Sequence, residues 1–504
     1  MYRKVENAPR EAEDFELPFE GKLSQDNRWV IMASLVPWEE FEEEYAQNFS
    51  AEMGAPALPF RVALGSLIIK EKLGISDRET VEQIKENPYL QYFIGKRHYS
   101  SSAPYDPSLL ARFRERINVN LVNRINERMV FLSKSESQSE PKKKSPETEK
   151  LSKTGSANRG KLILDASCVP GDISYPNDLG ILNQARVKTE KIIDSLYESR
   201  QGQIEKKPKS YRNRARKEYL NVAKKKRQTR KQIRKAIKKQ LQYIKRNLGS
   251  IDALVKAGSS FDALSHADYK SLLVVSEVYR QQAWMYNNKV HRIDNRIVSL
   301  SQPHIRPIVR GKAGVAVEFG AKISASVRNG YVFLDRISWD NFNESADLKS
   351  QIEAYYNYTG VYPESVHVDK IYRSRANRAF CKEKGIRISG PPLGRPKANI
   401  SQELKKQAQE DERIRNNIEG KFGISKRRYS LNRVMAKLPH TSETAIAITF
   451  LVMNLSALLR QVFCLFLCIF HNQVFFGVNL LLNLIIDRIV DNKCSLLLSS
   501  YITT

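Results

Sequence analysis

Residues Leu162–Pro170, LILDASCVP, decide the fold. Leu162, Ile163 and Leu164 make a short apolar run of the kind that forms a buried strand, and Asp165 stands at its end. The next strands come much later in the chain. Val315–Val327 alternates loosely, Asn329-Gly330 is the dipeptide of a type I′ hairpin turn, and Tyr331–Ile337 (YVFLDRI) returns. Ser345–Tyr358 reads as a helix and Ser365–Val368 as a short strand ending at Asp369. A helix over Ser374–Lys384 stops at Gly385, and Ile386–Ser389 is a last strand. The order strand, hairpin, helix, strand, helix, strand predicts a mixed α/β domain with a partly antiparallel sheet.

The 504 residues leave room for two or three domains. With 83 Lys and Arg against 55 Asp and Glu, the net charge is +28 and the pI about 9.7, which calls for a polyanionic partner. Residues 201–250 hold 19 of those cations and two acids, a surplus of 17. Within this region Ile233, Ile237, Leu241, Ile244 and Leu248 form an apolar stripe at helical spacing. Val275, Tyr279, Tyr286, Val290, Ile293 and Ile297 form a second. The stripes predict two long helices packed antiparallel, with one outer face nearly all cationic. That face reads either as a solvated surface or as a track for a phosphate backbone.

Residues 56–133 read as a helical unit. Phe60–Ile69 is an apolar run stopped by Gly74, Ser76-x-x-Glu79 is a capping box, and Asp106-Pro107 opens a basic helix over Ser108–Leu132. Residues 134–160 have almost no apolar side chains and read as a flexible linker. The five cysteines make no CxxC pair and no even framework, so reduced thiols in a cytoplasmic setting are expected. The N-terminal stretch lacks the apolar core of a signal peptide. Between Arg460 and Asp487 no charged residue occurs, a length that suits a membrane span, yet His471-Asn472-Gln473 interrupts it. A buried terminal helix or read-through beyond a usual stop is the expectation there, and a membrane is not.

The acids carry the chemistry. In Arg413–Lys437, RIRNNIEGKFGISKRRYSLNRVMAK, helical spacing sets Arg415, Glu419 and Lys426 near one face, with Arg427 and Arg428 just beyond. In open α/β sheets, groups at the carboxyl ends of strands converge on one edge. Asp165 and Asp369 are expected to meet there, and a packed helix would bring Glu419 to them. Three hard oxygen donors suit two Mg²⁺ ions about 4 Å apart, one activating an attacking oxygen and one easing departure of the leaving oxygen, with Mn²⁺ as a substitute. Arg415 and Lys426 would hold the phosphate. Lys370 and Arg373, just past Asp369, would follow a nucleic-acid strand, and Arg395 in the loop GPPLGRPK would enter a minor groove. Each residue also has a plainer reading. An aspartate after a strand caps a loop, a basic helix is a solvated face, and a Pro/Gly-rich loop is a turn. Asp335 and Asp178 compete with Asp369 and Asp165 on position alone.

Four stretches together resemble one family: GAPALPFRVALGSLIIKEKLGISDRETVEQIKENPYLQYFIG, LILDASCVPGDISYPNDLGILN, VHVDKIYRSRANRAFCKEKGIRISGPPLGRP and IRNNIEGKFGISKRRYSLNRVMAKL. Over about residues 50–460 the chain is similar to insertion-sequence transposases of the DDE type, which carry a ribonuclease-H-like catalytic core. The resemblance implies a helical N-terminal DNA-binding domain (1–133), a linker (134–160), a core of 161–184 with 306–460, a basic helical insertion (185–305) and an apolar tail (461–504). It puts the catalytic, metal-holding triad on Asp165, Asp369 and Glu419, setting aside Asp335 and Asp178. The family signature Tyr-x-x-Arg-x-x-x-Glu-x-x-x-x-x-x-Lys falls on Arg415, Glu419 and Lys426, with Glu412 where the tyrosine belongs. The function implied is binding of terminal inverted repeats in double-stranded DNA, cleavage at the element ends and joining of the freed 3′-OH to target DNA. It would be carried out by a homodimer in a prokaryotic cytoplasm. The alternative is a transposase-derived DNA-binding protein without catalysis.

Overall fold

A computed structural model describes residues 1–2, 11–18, 21–50, 53–137, 157–200, 202–204, 206–309, 317–391 and 401–464. The chain divides into two compact units, one of Met1–Leu110, Arg124–Thr148 and Leu451–Thr504, the other of Ala111–Asn123 and Glu149–Phe450.

The N-terminal helices follow their local signals. They are α1 (Arg28–Leu35), α2 (Glu42–Ala46), α3 (Phe60–Leu73), α4 (Asp77–Glu86) and α5 (Pro88–Phe93). Gly74 ends α3 in the left-handed region at φ 68°, where its N–H reaches the Lys70 carbonyl. Ser76 caps α4 by accepting from the Glu79 N–H at 3.2 Å. Asn87 does the same for α5, accepting from the Tyr89 N–H at 2.9 Å ahead of Pro88. The single basic helix expected over Ser108–Leu132 is instead two, α6 (Leu109–Arg116) and α7 (Val119–Ser137). The break is a fresh cap: the Asn118 side chain accepts from the Leu121 N–H at 2.9 Å.

A six-stranded mixed sheet organises the second unit. Its strands are β1 (Lys161–Pro170), β2 (Arg306–Val309), β3 (Val317–Arg328), β4 (Tyr331–Ser338), β5 (Ser365–His367) and β6 (Arg387–Ile388). The order runs β2-β3-β1-β5-β6, and β4 pairs with β3. The β1–β3, β2–β3 and β3–β4 pairings are antiparallel, whereas β1–β5 and β5–β6 are parallel. Asn329 and Gly330 turn the β3–β4 hairpin with φ of 52° and 85°, as a type I′ turn requires. The register slips between Ser324 and Ala325, leaving Asp335 as the extra residue of a bulge. Leu162, Leu164, Val366 and Val368 pack with Leu348, Ile352 and Tyr355 of α12 (Leu348–Thr359) and with Cys381 of α13 (Arg375–Glu383). The last elements are α14 (Gln402–Arg428) and α15 (Pro439–Cys464).

Between β1 and β2 the structure corrects the two-helix expectation. Four helices stand there: α8 (Asp178–Glu198), α9 (Arg212–Ala223), α10 (Arg230–Lys256) and α11 (His266–Asn288). Ile181, Leu182 and Ala185 of α8 pack against Leu241 and Ile244 of α10 and Val275 and Val278 of α11. The first stripe belongs to α10. Of the second, Val275, Tyr279 and Tyr286 stand on α11, but that helix ends at Asn288, so Val290, Ile293 and Ile297 lie in the non-helical segment after it. Helix α8 was hidden because its apolar positions meet partners on two sides. Lys224, Lys225, Lys226, Lys231, Lys235 and Lys238 are all exposed. By length and composition α15 could cross a bilayer, but most of its apolar window is buried, as in the core helix of a soluble protein. The rest of the apolar run, beyond residue 464, lies outside the described residues.

Gly320 pairs with Pro170 of β1 on one side and Arg306 of β2 on the other. A Cβ there would stand 2.0 Å from the Val169 carbonyl oxygen, so the β1–β3 seam admits only glycine. Gly320→Ala is expected to lower stability by about 1–3 kcal/mol. Gly249→Ala, in open space on α10, is expected to raise it by up to about 1 kcal/mol. Urea denaturation of the two variants checks both signs.

Candidate active site

The parallel register of β1 and β5 sets the site. Leu162 pairs with Val366 and Ile163 with His367, so two residues further on Asp165 and Asp369 fall side by side. Asp165 is not at the end of its strand, as the sequence suggested, but in its middle. Pairing with β3 carries β1 on from Asp165 to Pro170 through the less apolar residues Ala166 and Ser167. Asp369 lies just past β5, where its Oδ1 accepts from the Lys370 N–H at 2.6 Å and caps the short 3₁₀ turn Lys370–Tyr372.

Helix α14 supplies the third acid. It begins well before the stretch expected and ends at Arg428, short of Lys437. Ile418 and Phe422 are buried where it lies against β1, β5 and β3, which leaves Glu419 exposed beside them. A network of buried Asp411 and His367 with the more exposed Arg387 fixes its seat. Asp411, on α14, accepts from both terminal nitrogens of Arg387 on β6 at 2.8 Å. Its Oδ1 also lies 3.5 Å from Nδ1 of His367, whose Nε2 is 3.0 Å from the Ser365 hydroxyl. Burial holds the His367 imidazole below its ordinary range, so it stays neutral at pH 7. Burial alone would raise Asp411, but the paired N–H donors of Arg387 carry it below the usual carboxylate range. The network anchors α14 two turns before Glu419 and β5 two residues before Asp369.

Asp165, Asp369 and Glu419 all line one cleft of about 510 Å³, together with Arg415, Lys322 and Glu344. Arg415 donates to Glu419 at 2.9 Å and to Glu412 at 2.6 Å, and these hydrogen bonds hold its guanidinium firmly charged. Lys322, on β3, pairs with Glu344 at 2.9 Å and donates to the Phe342 carbonyl at 2.7 Å. Burial, reinforced by the nearby charges of Glu344 and Asp369, pushes the Asp165 carboxyl up to about 6, against the Ala166 N–H and Arg415, which pull it down.

Sequence reasoning missed Lys322 and Glu344. The one available signal was a lysine inside the apolar strand run AKISASV; Glu344 stands in a connection with no spacing pattern. Of the other expected residues, Lys426, Arg427 and Arg428 occupy the last turn of α14 and do not line the cleft. Lys370 is exposed, whereas Arg373 turns inward and donates to the Val368 carbonyl at 2.8 Å, bracing the backbone beside Asp369. Arg395 lies outside the described residues. The two competing aspartates have structural partners. Asp335 accepts from Ser326, Arg328 and Gln351, and Asp178 from Gln282 and Arg296.

The donor set has the chemistry of a hard divalent cation site: carboxylates at a cleft wall, one of them partly buried beside like charges that a cation would relieve. Among the described residues, no three acidic, histidine or cysteine side chains gather closely enough to surround one ion. Glu419 is drawn toward Arg415 instead.

The shift at Asp165 has a definite sign. Its folded value lies above its unfolded one, so its contribution to stability is complete below about pH 4 and is lost as pH rises through about 6. In EDTA, the parent is expected to lose roughly 2 kcal/mol relative to Asp165→Asn between pH 4 and 7. Chemical denaturation across that range measures it, and a constant difference would mean that Asp165 is not buried beside the other acids.

A transposase DDE domain matches residues 366–456, which include Asp369 and Glu419 but not Asp165. A second transposase domain, DUF772, matches residues 17–116. An uncharacterized protein of Rhizobium meliloti, ORF8 in the nfe locus, is 36% identical over 88 residues, covering 18% of this chain and 42% of that protein. No solved structure matches. Both matches are to transposase domains, and together they support an insertion-sequence transposase of the DDE type.

Proposed function

We propose that this protein binds the ends of a DNA element, hydrolyses phosphodiester bonds there and transfers the freed 3′-OH strand to target DNA. The observation that carries the reading is the single cleft lined by Asp165, Asp369 and Glu419 with the cations Arg415 and Lys322. The core is read as ribonuclease-H-like, because three antiparallel strands (β4, β3, β1) continue into two parallel ones (β5, β6). Asp165, Asp369 and Glu419 would hold two Mg²⁺ ions, or Mn²⁺ in their place, which supply Lewis-acid activation of the attacking and leaving oxygens.

The chain's own residues do the rest. Arg415 and Lys322 offset the negative charge that grows on the phosphate in the transition state. Glu412 and Glu344 hold those two cations in place between turnovers. The network of Asp411, Arg387 and His367 keeps Glu419 and Asp369 on one wall of the cleft. The exposed lysines of residues 224–238 track the DNA backbone, and the helical unit within 1–133 reads the element ends. Joining two ends calls for a homodimer on DNA, acting in the cytoplasm of a prokaryote. Glu412 in the place of the signature tyrosine favours a second reading, in which the protein binds DNA but does not cut it.

Asp369→Asn is expected to abolish Mg²⁺-dependent nicking of a flanked element end, by at least 100-fold, while end binding persists. Cleavage by this variant at the parent rate removes Asp369 from the chemistry, and a parent that binds ends but never nicks them selects the second reading. Changing Lys224, Lys225, Lys226, Lys231, Lys235 and Lys238 to Gln is expected to flatten the slope of log K against log salt by several units. An unchanged slope would make these helices a spacer.

A further inference from the structure

A second and larger hollow adjoins the acid cleft. Its volume is about 1010 Å³, at the upper end for ligand sites, and it shares the wall residue Val309 with the cleft. Its floor and sides come from the loop before α8, from α11 and the segment after it, and from β2 and β3. Tyr175 is 79% exposed and Trp284 45% exposed, both lining the hollow, and Val309 is 58% exposed where the two spaces meet.

Large aromatic rings left this open need a reason, because each forgoes the burial that normally stabilises it. The Tyr175 ring stands edge-on to Phe319 of β3 at 5.6 Å and 90° and leaves most of its surface open. Arg292, exposed on the same rim, adds positive charge. Two open aromatic rings and a cation lining one hollow are the parts of a base-stacking platform. Paired bases offer no free face in a duplex, so the ligand class is an unpaired strand.

We propose that this hollow binds unpaired nucleotides of a DNA strand that continues out of the acid cleft past Val309, stacking bases on Tyr175 and Trp284 with Arg292 toward the backbone. The proposal rests on the reading above for the choice of DNA, and adds to it a separate site for single-stranded DNA that takes no part in bond breaking.

The test needs neither metal nor cleavage. In EDTA, fluorescence anisotropy compares a blunt duplex with the same duplex carrying a short single-stranded thymine extension. The parent is expected to bind the extended DNA more tightly, and Tyr175→Ala with Trp284→Ala to lose that preference by about tenfold or more while blunt binding stays within about twofold. No preference in the parent, a preference that survives the double variant, or equal loss on both DNAs overturns the proposal. The last outcome would point to a fold or a protein-docking role for the rings. If the double variant does not fold, Trp284→Phe decides: the thymine strand should quench tryptophan emission in the parent and not in this variant, and an undiminished quench overturns it. A parent with the preference but no nicking would sink the cleavage reading alone, and nicking without the preference would sink this one alone.

Discussion

The structure depends on the seating of α14 against the parallel pair β1 and β5. The two strands alone bring Asp165 beside Asp369. They give no place to Glu419, which arrives only because Asp411 is held by Arg387 and faces His367, while Ile418 and Phe422 fill the apolar space beneath the helix. A buried carboxylate is costly unless paired, so Asp411 is held where both terminal nitrogens of Arg387 can reach it. That rigidity is transmitted along two helical turns to Glu419. The same network reaches β5 through His367, so the supports of two of the three cleft acids are one connected piece.

Around that frame the cleft keeps its charges in tension. Asp165 is partly buried close to Glu344 and Asp369, and the carboxylates repel. Each cation of the cleft is held by acids, Arg415 by Glu412 and Glu419 and Lys322 by Glu344. Under the proposed reading such a site would exchange partners on binding a cation and a phosphate: the acids would gain a counter-ion and the basic groups an anion. Glu412 is the departure from the family signature, and its effect is local. It gives Arg415 a second acidic partner and draws none of the three cleft acids away from the cleft wall.

Legibility followed the range of the interactions. The caps at Ser76 and Asn87, the stop at Gly74 and the turn at Asn329-Gly330 act within a few residues, and each stands where the sequence pointed. The interruption at Asn118 was missed because the apolar spacing runs on through it; a side-chain cap outweighed the periodicity. Helix α8 was missed for a different reason. It is wrapped by α10 and α11, so its buried positions occupy more than one stripe. At the cleft, the three acids that line it are residues singled out from sequence by type and by resemblance, whereas Lys322 and Glu344 have no motif to announce them.

The sequence by itself determined most strands of the sheet and the helices packed on them, that the sheet is mixed, that the chain is strongly basic and which acids are candidates, since all of these rest on residue type and on spacing within one segment. Only the tertiary structure decided that Asp165 stands mid-strand, that Asp335 and Asp178 belong to structural hydrogen bonds, and that Lys322 and Glu344 share the cleft. The physical reason is that strand register and the burial of charged pairs join residues far apart in the chain. Whether a carboxylate faces a cleft or an arginine is settled by what packs behind it, and no local spacing carries that information.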